Sequence, residues 1–306
     1  MPVRSAFAMI AVERPTCRHL LRVADLAHDE FEAVLDLAAA MKRHPLAWRS
    51  SLEGRSVACY YATPSTRSRV SFQAAINRLG GLPIMLRADE LQLDCGESLE
   101  DTARVLSSYC DAIVVRVLPQ RDLHELATHA SVPVINALTN THDPCQALAD
   151  CLTLRERFGS LAGLPVAYVG PGGGAAHSLI EAAAASGMEL RVASPAGQQA
   201  DPAIIASAGR SVRIFDDPLE AVRGAQALYA GAWNDVPPSG YRVTAAMLRL
   251  AHPDAIFLHP LPAHRGMDVD PALIDGPATL VWSQVDNRLP AEQALLHALV
   301  TGDWED

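Results

Sequence analysis

Apolar positions along the chain alternate between two rhythms. In residues 28–43, Phe31, Val34, Leu35 and Ala38 fall on one face, with Asp29, Glu32 and Asp36 opposite, which predicts an amphipathic helix. Ser56–Tyr61 is a short apolar run and predicts a strand. Beyond it, Phe72, Ala75, Ile76 and Leu79 recur at i, i+3, i+4 and i+7 and stop at Gly80-Gly81, which predicts a second helix. The alternation continues with strands at 83–86, 112–117 and 132–136 and helices at 98–109 and 123–129. Glu100 and Asp101 sit in the first turn of the 98–109 helix, where acids suit the helix dipole. The run 112–117 is nearly all apolar, as in a parallel strand covered on both faces. Strand–helix–strand rhythm predicts a doubly wound α/β unit in the first half.

A long helix over 146–158 bridges to a second unit. Leu164–Val169 starts a new strand, and Gly170-Pro171-Gly172-Gly173-Gly174-Ala175 leads into a helix over 177–186. The glycine pattern matches a dinucleotide fingerprint, which needs an acid at the end of the next strand. That strand, Glu189–Ala193, ends in Ser194-Pro195 instead, so a close strand-to-helix turn is favoured over NAD binding. Further strands are expected at 225–229 and 255–258, with a Pro/Gly-containing loop at 232–240 between them. A final helix is expected over 291–300.

Composition narrows the function classes. The 306 residues are 49% hydrophobic, enough for a large core, and long enough for two domains. A net charge of −10 and only 5% aromatic residues argue against a nucleic-acid surface or a base-stacking platform. The six cysteines include no C-x-x-C pair, so they read as reduced core residues rather than zinc ligands. Residues 6–12 faintly suggest a signal peptide but lack a clear cleavage site, and read as an ordinary or frayed terminal segment. Nothing approaches a membrane span, and a cytoplasmic enzyme is the default expectation.

Chemistry concentrates in two turns. Thr63-Pro64-Ser65-Thr66-Arg67-Ser68-Arg69 joins a strand to a helix and carries hydroxyls, guanidiniums and free N–H groups at a helix start. That combination suits a phosphate; the alternative is a Ser/Thr cap beside solvated arginines. His259-Pro260-Leu261-Pro262-Ala263-His264-Arg265-Gly266 follows a buried strand. It is either a rigid active-site loop, in which one proline bond is a candidate for cis, or a plain Pro-stiffened turn.

Four separated pieces together resemble the aspartate and ornithine carbamoyltransferases, closest to the ornithine branch. Ser65–Arg69 resembles the family's Ser-Thr-Arg-Thr-Arg carbamoyl phosphate loop, and Arg116 stands where the family keeps an arginine. Asp143–Asp150 is similar to the His-Pro-Cys-Gln-Ala-Leu-Ala-Asp motif, and 259–266 to His-Cys-Leu-Pro-Ala-His-Arg-Gly. The linking segments 97–106 and 286–289 are also similar, and the likeness runs from about residue 17 onward.

The resemblance implies two Rossmann-like doubly wound parallel-sheet domains joined by interdomain helices. Residues 1–145 would bind carbamoyl phosphate and residues 146–288 the acceptor, with a C-terminal helix at about 289–306 packing back on the first domain. It implies a homotrimer with sites shared between subunits, and attack of a neutral amine on carbamoyl phosphate without metal or organic cofactor. Ser65, Thr66, Arg67 and Ser68 would hold the phosphate, and Arg116 would bridge it to the carbamoyl oxygen. Gln146, Arg288 and the carbonyl of Leu261 would complete the carbamoyl pocket, and Gln92 would reach in from a neighbouring subunit.

Departures fall mostly on the acceptor side, with one in the donor pocket. There Asp143 stands where the family has the histidine that polarises the carbamoyl oxygen, with His142 beside it as a substitute only if the helix start shifts. Gly172-Gly173-Gly174 replaces the asparagines that meet the amino acid's backbone groups. Gly231 and Asn234–Pro237 replace an Asp and a Ser-Met-Gly, and Pro260 replaces a Cys. Asn234, Asp235, Pro260, Leu261 and His264 are the candidate acceptor contacts. Three readings follow: a carbamoyltransferase with an acceptor other than ornithine, an ornithine enzyme with a rearranged loop, or a binding paralogue impaired at Asp143.

Overall fold

The computed structural model describes residues 18–116 and 119–305. The expectations for residues 6–12, Cys17 and the end of the 112–117 strand lie outside the described residues. Two parallel sheets carry the fold. The first, ordered β2-β1-β3-β4, consists of β1 (Ser56–Tyr61), β2 (Leu82–Arg87), β3 (Ala112–Arg116) and β4 (Val134–Leu138). The second, ordered β7-β6-β5-β8-β9, consists of β5 (Pro165–Val169), β6 (Glu189–Ala193), β7 (Val212–Phe215), β8 (Ala227–Ala230) and β9 (Ile256–Leu258). Every strand pairing is parallel.

Helices cover both faces of these sheets. In the first half they are α1 (His28–Arg43), α2 (Thr66–Arg78), α3 (Leu99–Tyr109) and α4 (Gln120–His129). The long α5 (Pro144–Phe158) crosses to the second half, which carries α6 (Gly174–Ser186), α7 (Pro202–Ser207), α8 (Pro218–Val222), α9 (Ala245–Leu250) and α10 (Pro271–Ile274). The last helix, α11 (Val281–Thr301), packs against α1, α2 and α5.

Strand position explains strand composition. Inner strands β1 and β3 are almost wholly buried, which is why they read as unbroken apolar runs. Pro83 lies on β2 at the sheet edge, where a missing N–H is tolerated. The opposite edge strand, β4, is covered: Leu20 N donates to Val134 O and Asn136 N donates to Leu20 O.

Beyond the short helices α7, α8, α9 and α10, which the apolar pattern does not mark, two elements differ from the sequence expectation. β7 carries exposed residues and sits at a sheet edge, so it lacks the apolar signature that marks its neighbours. The final helix begins ten residues earlier than expected and contains Pro290. Proline removes one backbone bond there, yet a helix with most of its length buried between α1, α2 and α5 absorbs that loss. Cys59, Cys110, Cys145 and Cys151 are free and buried, as expected of core thiols. Among the described residues no helix is long and apolar enough to cross a membrane.

Candidate active site

Both sheets present the carboxyl ends of their strands to one cleft of about 370 Å³. Crevices at strand carboxyl ends, where the order reverses, are where doubly wound sheets bind ligands. Here β1 and β3 flank the reversal in the first sheet, and β5 and β8 flank it in the second. The end of β3 and the loops after β1, β4, β5, β8 and β9 all reach the cleft, whose size suits a small-molecule site.

The first-sheet wall is cationic. Arg67 and Ser68 stand in the first turn of α2, whose N-cap Ser65 makes no side-chain capping bond. The hydroxyls of this turn are therefore not used up in closing the helix. Arg116 Nη1 donates to Ser68 Oγ at 3.0 Å and to Ala137 O at 3.3 Å. Arg288 Nη2 donates to the same Ser68 Oγ at 3.0 Å, from a helix 220 residues further along the chain. Arg67 Nη2 reaches across to Leu261 O at 2.6 Å.

Burial and mutual repulsion lower the pKa of Arg67 and Arg116. Burial acts the same way on Arg288, but Glu292 and Asp143 outweigh it and the net shift is upward. Guanidiniums this basic stay charged, so the wall is a standing anion site.

Behind the wall lies a buried hydrogen-bond chain. Arg288 Nη1 donates to Gln146 Oε1 at 2.8 Å, and Arg288 Nε donates to Glu292 Oε1 at 3.0 Å. Gln146 Nε2 in turn donates to Asp150 Oδ1 at 2.8 Å. Asp150 also accepts from Gln284 Nε2 at 2.7 Å and from Tyr229 OH at 2.8 Å. Gln284 Oε1 accepts from His259 N at 2.9 Å, and His259 Nδ1 accepts from Leu261 N at 2.9 Å.

The chain thus returns to Leu261, whose carbonyl holds Arg67. Burial pushes the Asp150 carboxyl up to about 6 against the pull of these donors. Burial likewise pushes Glu292 up to about 7, opposed by Arg288.

The 259–266 loop is held rigidly. Leu261 has φ 52° and its bond to Pro262 is cis, in keeping with the sequence expectation. Because Nδ1 of His259 accepts a bond, its proton resides on Nε2, which faces buried Asp268 Oδ2 at 3.6 Å. Burial lowers the His259 pKa, so the ring is neutral.

The wall contributed by the second half is of another kind. Pro171, Gly173, Gly174, Ala232, Asn234 and Pro260 line it, with no charged side chain among them. Gly172 packs so closely that a Cβ would lie 2.0 Å from Ala200 N. Gly173 has open space where a side chain would go. The glycine turn is thus a strand-to-helix junction, the alternative favoured over a dinucleotide site.

The expected site residues divide as follows. Arg67, Ser68, Arg116, Gln146, Arg288 and Leu261 meet in the cleft, joined there by Asp143, Asn234 and Pro260. Ser65 and Thr66 line neighbouring depressions rather than this cleft. Gln92 is exposed and does not line the cleft of its own chain. Asp235 is exposed, and the His264 ring turns to Asp268 Oδ2 at 3.2 Å; neither lines the cleft.

His142, a substitute only if the start of the helix shifts, does not line the cleft. Its buried ring lies against His177 with centroids 5.8 Å apart, and its Nε2 is 3.4 Å from Glu181 Oε1. The helix α5 starts at Pro144 with Asp143 as its N-cap.

Asp150, Gln284, Tyr229, Glu292 and Asp268 were not singled out from sequence. The signals were present as i, i+4 spacings on one helix each, Gln146 to Asp150 and Arg288 to Glu292. Among the described residues no group of three or more His, Cys, Asp or Glu could hold a metal ion.

Fold and cleft together define a doubly wound α/β protein with an anion site at the switch point of one sheet, facing an uncharged wall at the switch point of the other. Comparison with known proteins gives the family. The model of the aspartate/ornithine carbamoyltransferase carbamoyl-P binding domain matches residues 18–156, and that of the Asp/Orn binding domain matches residues 162–299.

The ornithine carbamoyltransferase of Symbiobacterium thermophilum is 44% identical over 299 residues, covering 91% of this chain and 96% of that one. The solved ornithine carbamoyltransferase of Pyrococcus furiosus superposes with a TM-score of 0.86 at 39% identity, covering 93% of this chain and 97% of that one. A solved N-acetyl-L-ornithine transcarbamylase mutant, complexed with carbamyl phosphate and N-succinyl-L-norvaline, has a TM-score of 0.82 at 28% identity, covering 92% and 99%. The chain belongs to the aspartate/ornithine carbamoyltransferase family, and it is a carbamoyltransferase of amino-acid metabolism.

Proposed function

We propose that the protein transfers the carbamoyl group of carbamoyl phosphate to the amine of a small molecule other than ornithine. The observation that carries this is the meeting of Arg116 and Arg288 on one serine hydroxyl, with Arg67 held on Leu261 O, at the start of α2. Arg67, Ser68 and the α2 N-terminus bind the phosphate, with Ser65 and Thr66 completing the turn. Arg116 bridges phosphate and carbamoyl oxygen, while Gln146, Arg288 and Leu261 O orient the carbamoyl group. Catalysis is then positioning plus stabilisation of the charge that builds on the carbamoyl oxygen and the departing phosphate. Residues 1–145 act as the donor domain and 146–288 as the acceptor domain.

A homotrimer fits the exposed apolar residues Val70 on α2 and Leu82 on β2, and the outward position of Gln92, which would serve a neighbour's site. The uncharged acceptor wall supports a changed acceptor. That a relative of this fold is an N-acetyl-L-ornithine transcarbamylase supports the idea that the fold tolerates such changes.

The experiment is phosphate release from carbamoyl phosphate across ornithine, its acylated forms, putrescine, aspartate, lysine and diaminopropionate. Release with an amine other than ornithine is expected. Release with ornithine alone would refute the changed acceptor, and failure to bind carbamoyl phosphate by calorimetry would refute the donor site.

A further inference from the structure

Asp143 is the one carboxylate among the described residues that line the cleft. Three guanidiniums share that cleft, yet among the described residues none forms an ion pair with it. Their donors go instead to Ser68, Ala137, Gln146, Glu292 and Leu261. Asp143 Oδ1 accepts one long bond, from Gln146 N at 3.3 Å, which leaves most of its acceptor capacity open.

Its place in the fold is the seam between the two walls. Asp143 N donates to Ser178 Oγ of α6 at 2.8 Å. A Cβ on Gly174, at the start of α6, would meet His142 N at 3.3 Å. The carboxylate therefore stands where the donor's arginines end and the uncharged acceptor wall begins.

An acceptor amine arrives as an ammonium, which has no lone pair with which to attack and is repelled by three guanidiniums. An anion at the seam offsets the repulsion, and a proton acceptor there is needed to free the lone pair. We propose that Asp143 is the group that receives the acceptor's ammonium, orients it toward the carbamoyl carbon and takes the proton it must lose. This rests on the carbamoyl-transfer reading above and names its acceptor class: a molecule with one ammonium nitrogen and an otherwise neutral or anionic body. Ornithine brings a second ammonium, for which the cleft lining offers no second carboxylate.

The step balances. One ammonium proton passes to Asp143 and later to solvent. The freed lone pair forms the N–C bond as the C–O bond to phosphate breaks. A second proton leaves the nitrogen with the departing phosphate, and the third stays on the product.

The test is Asp143→Asn, which keeps an N-cap residue and hence the start of α5. Phosphate release is compared for ornithine, for δ-aminovalerate, which lacks only the second amine, and for O-methylhydroxylamine, which is neutral at assay pH. Native enzyme should favour δ-aminovalerate over ornithine by about tenfold or more in kcat/KM. The Asn variant should lose roughly 100-fold with δ-aminovalerate and far less with O-methylhydroxylamine, with carbamoyl phosphate affinity unchanged or tighter.

Calorimetric titration of δ-aminovalerate into phosphate-loaded protein reads the same contact without turnover, and the variant should lose it. Equal losses for charged and neutral nucleophiles, unchanged kcat/KM, or a gain in turnover on Asp143→His would overturn the assignment. Loss of carbamoyl phosphate binding by the native protein is a separate result, which overturns the donor site on which the assignment rests.

Discussion

On the donor wall, Arg67, Arg116 and Arg288 each reach the cleft while tied back to groups behind or across from them. On the proposed acceptor wall, Gly173, Gly174, Ala232 and Pro260 present backbone and carbon atoms and carry no charged or hydrogen-bonding side chain. The donor wall is thus made of charges whose directions are fixed through the core, and the acceptor wall of shape. A change at one donor residue must disturb several others. A change at an acceptor residue disturbs only what fits against it, so acceptor preference is the easier property to alter within this fold.

Substitutions at each wall can break that contrast. The largest effect is expected from Arg288→Met, which strands Glu292 in the core. Urea unfolding should show a loss of about 3 kcal/mol, the lower end for a broken buried pair because Glu292, pushed up to about 7, can take up a proton. A variant that kept its stability would show that the donor wall is not cross-linked through the core.

Next is Arg67→Ala. Removing one charge-assisted contact should weaken carbamoyl phosphate binding by roughly 1.5–3 kcal/mol in calorimetry. Unchanged affinity would remove Arg67 from the donor wall.

Asp150 offers a smaller effect with a defined sign. Its carboxyl is raised to about 6 from an ordinary value of 3.8, so the folded state holds the proton more tightly. The resulting stability is fully present below about pH 3.8 and is lost as pH rises through about 6. Asp150→Asn lacks this titration. Its unfolding free energy relative to native protein should therefore improve by roughly 2 kcal/mol between about pH 4 and about pH 7. A constant gap between the two would mean that Asp150 does not titrate in that window.

The smallest effect is expected at Gly173→Asn, where nothing lies within 4 Å of the added Cβ. Stability should stay within about 0.5 kcal/mol and carbamoyl phosphate affinity should not move. Only the ranking of amines in the phosphate-release assay should change. A loss of donor affinity there would sharpen the picture in the other direction, by showing that the walls are coupled.

The same contrast explains what could be read from the sequence. Ser65–Arg69 was legible because a strand, a hydroxyl- and arginine-bearing turn and a helix follow in a single segment. The 259–266 loop was legible because prolines and histidines after a buried strand have few other uses. Asp150 was not, because only Gln146 is an i, i+4 neighbour, while its other two partners come from β8 and α11, far along the chain. His142 and His264 drew attention as ionisable residues near motifs. Only the packing of Glu181 and Asp268 shows that their rings are engaged elsewhere. The start of α11 was missed because Pro290 punctuates a helix whose burial overrides it.

Arg288 also sets an order of events during synthesis. Ser68, its partner on the donor wall, leaves the ribosome 220 residues before it does. Halves of such a chain begin to fold as they emerge. The first sheet and α2 can therefore assemble while their phosphate pocket still lacks one of its three cations. On the proposed donor site, carbamoyl phosphate should grip this nascent half weakly, and ligand binding would come with finishing the chain rather than help to start it. A chain halted before α11 would carry Arg67 and Arg116 in place and still be unable to close its donor site.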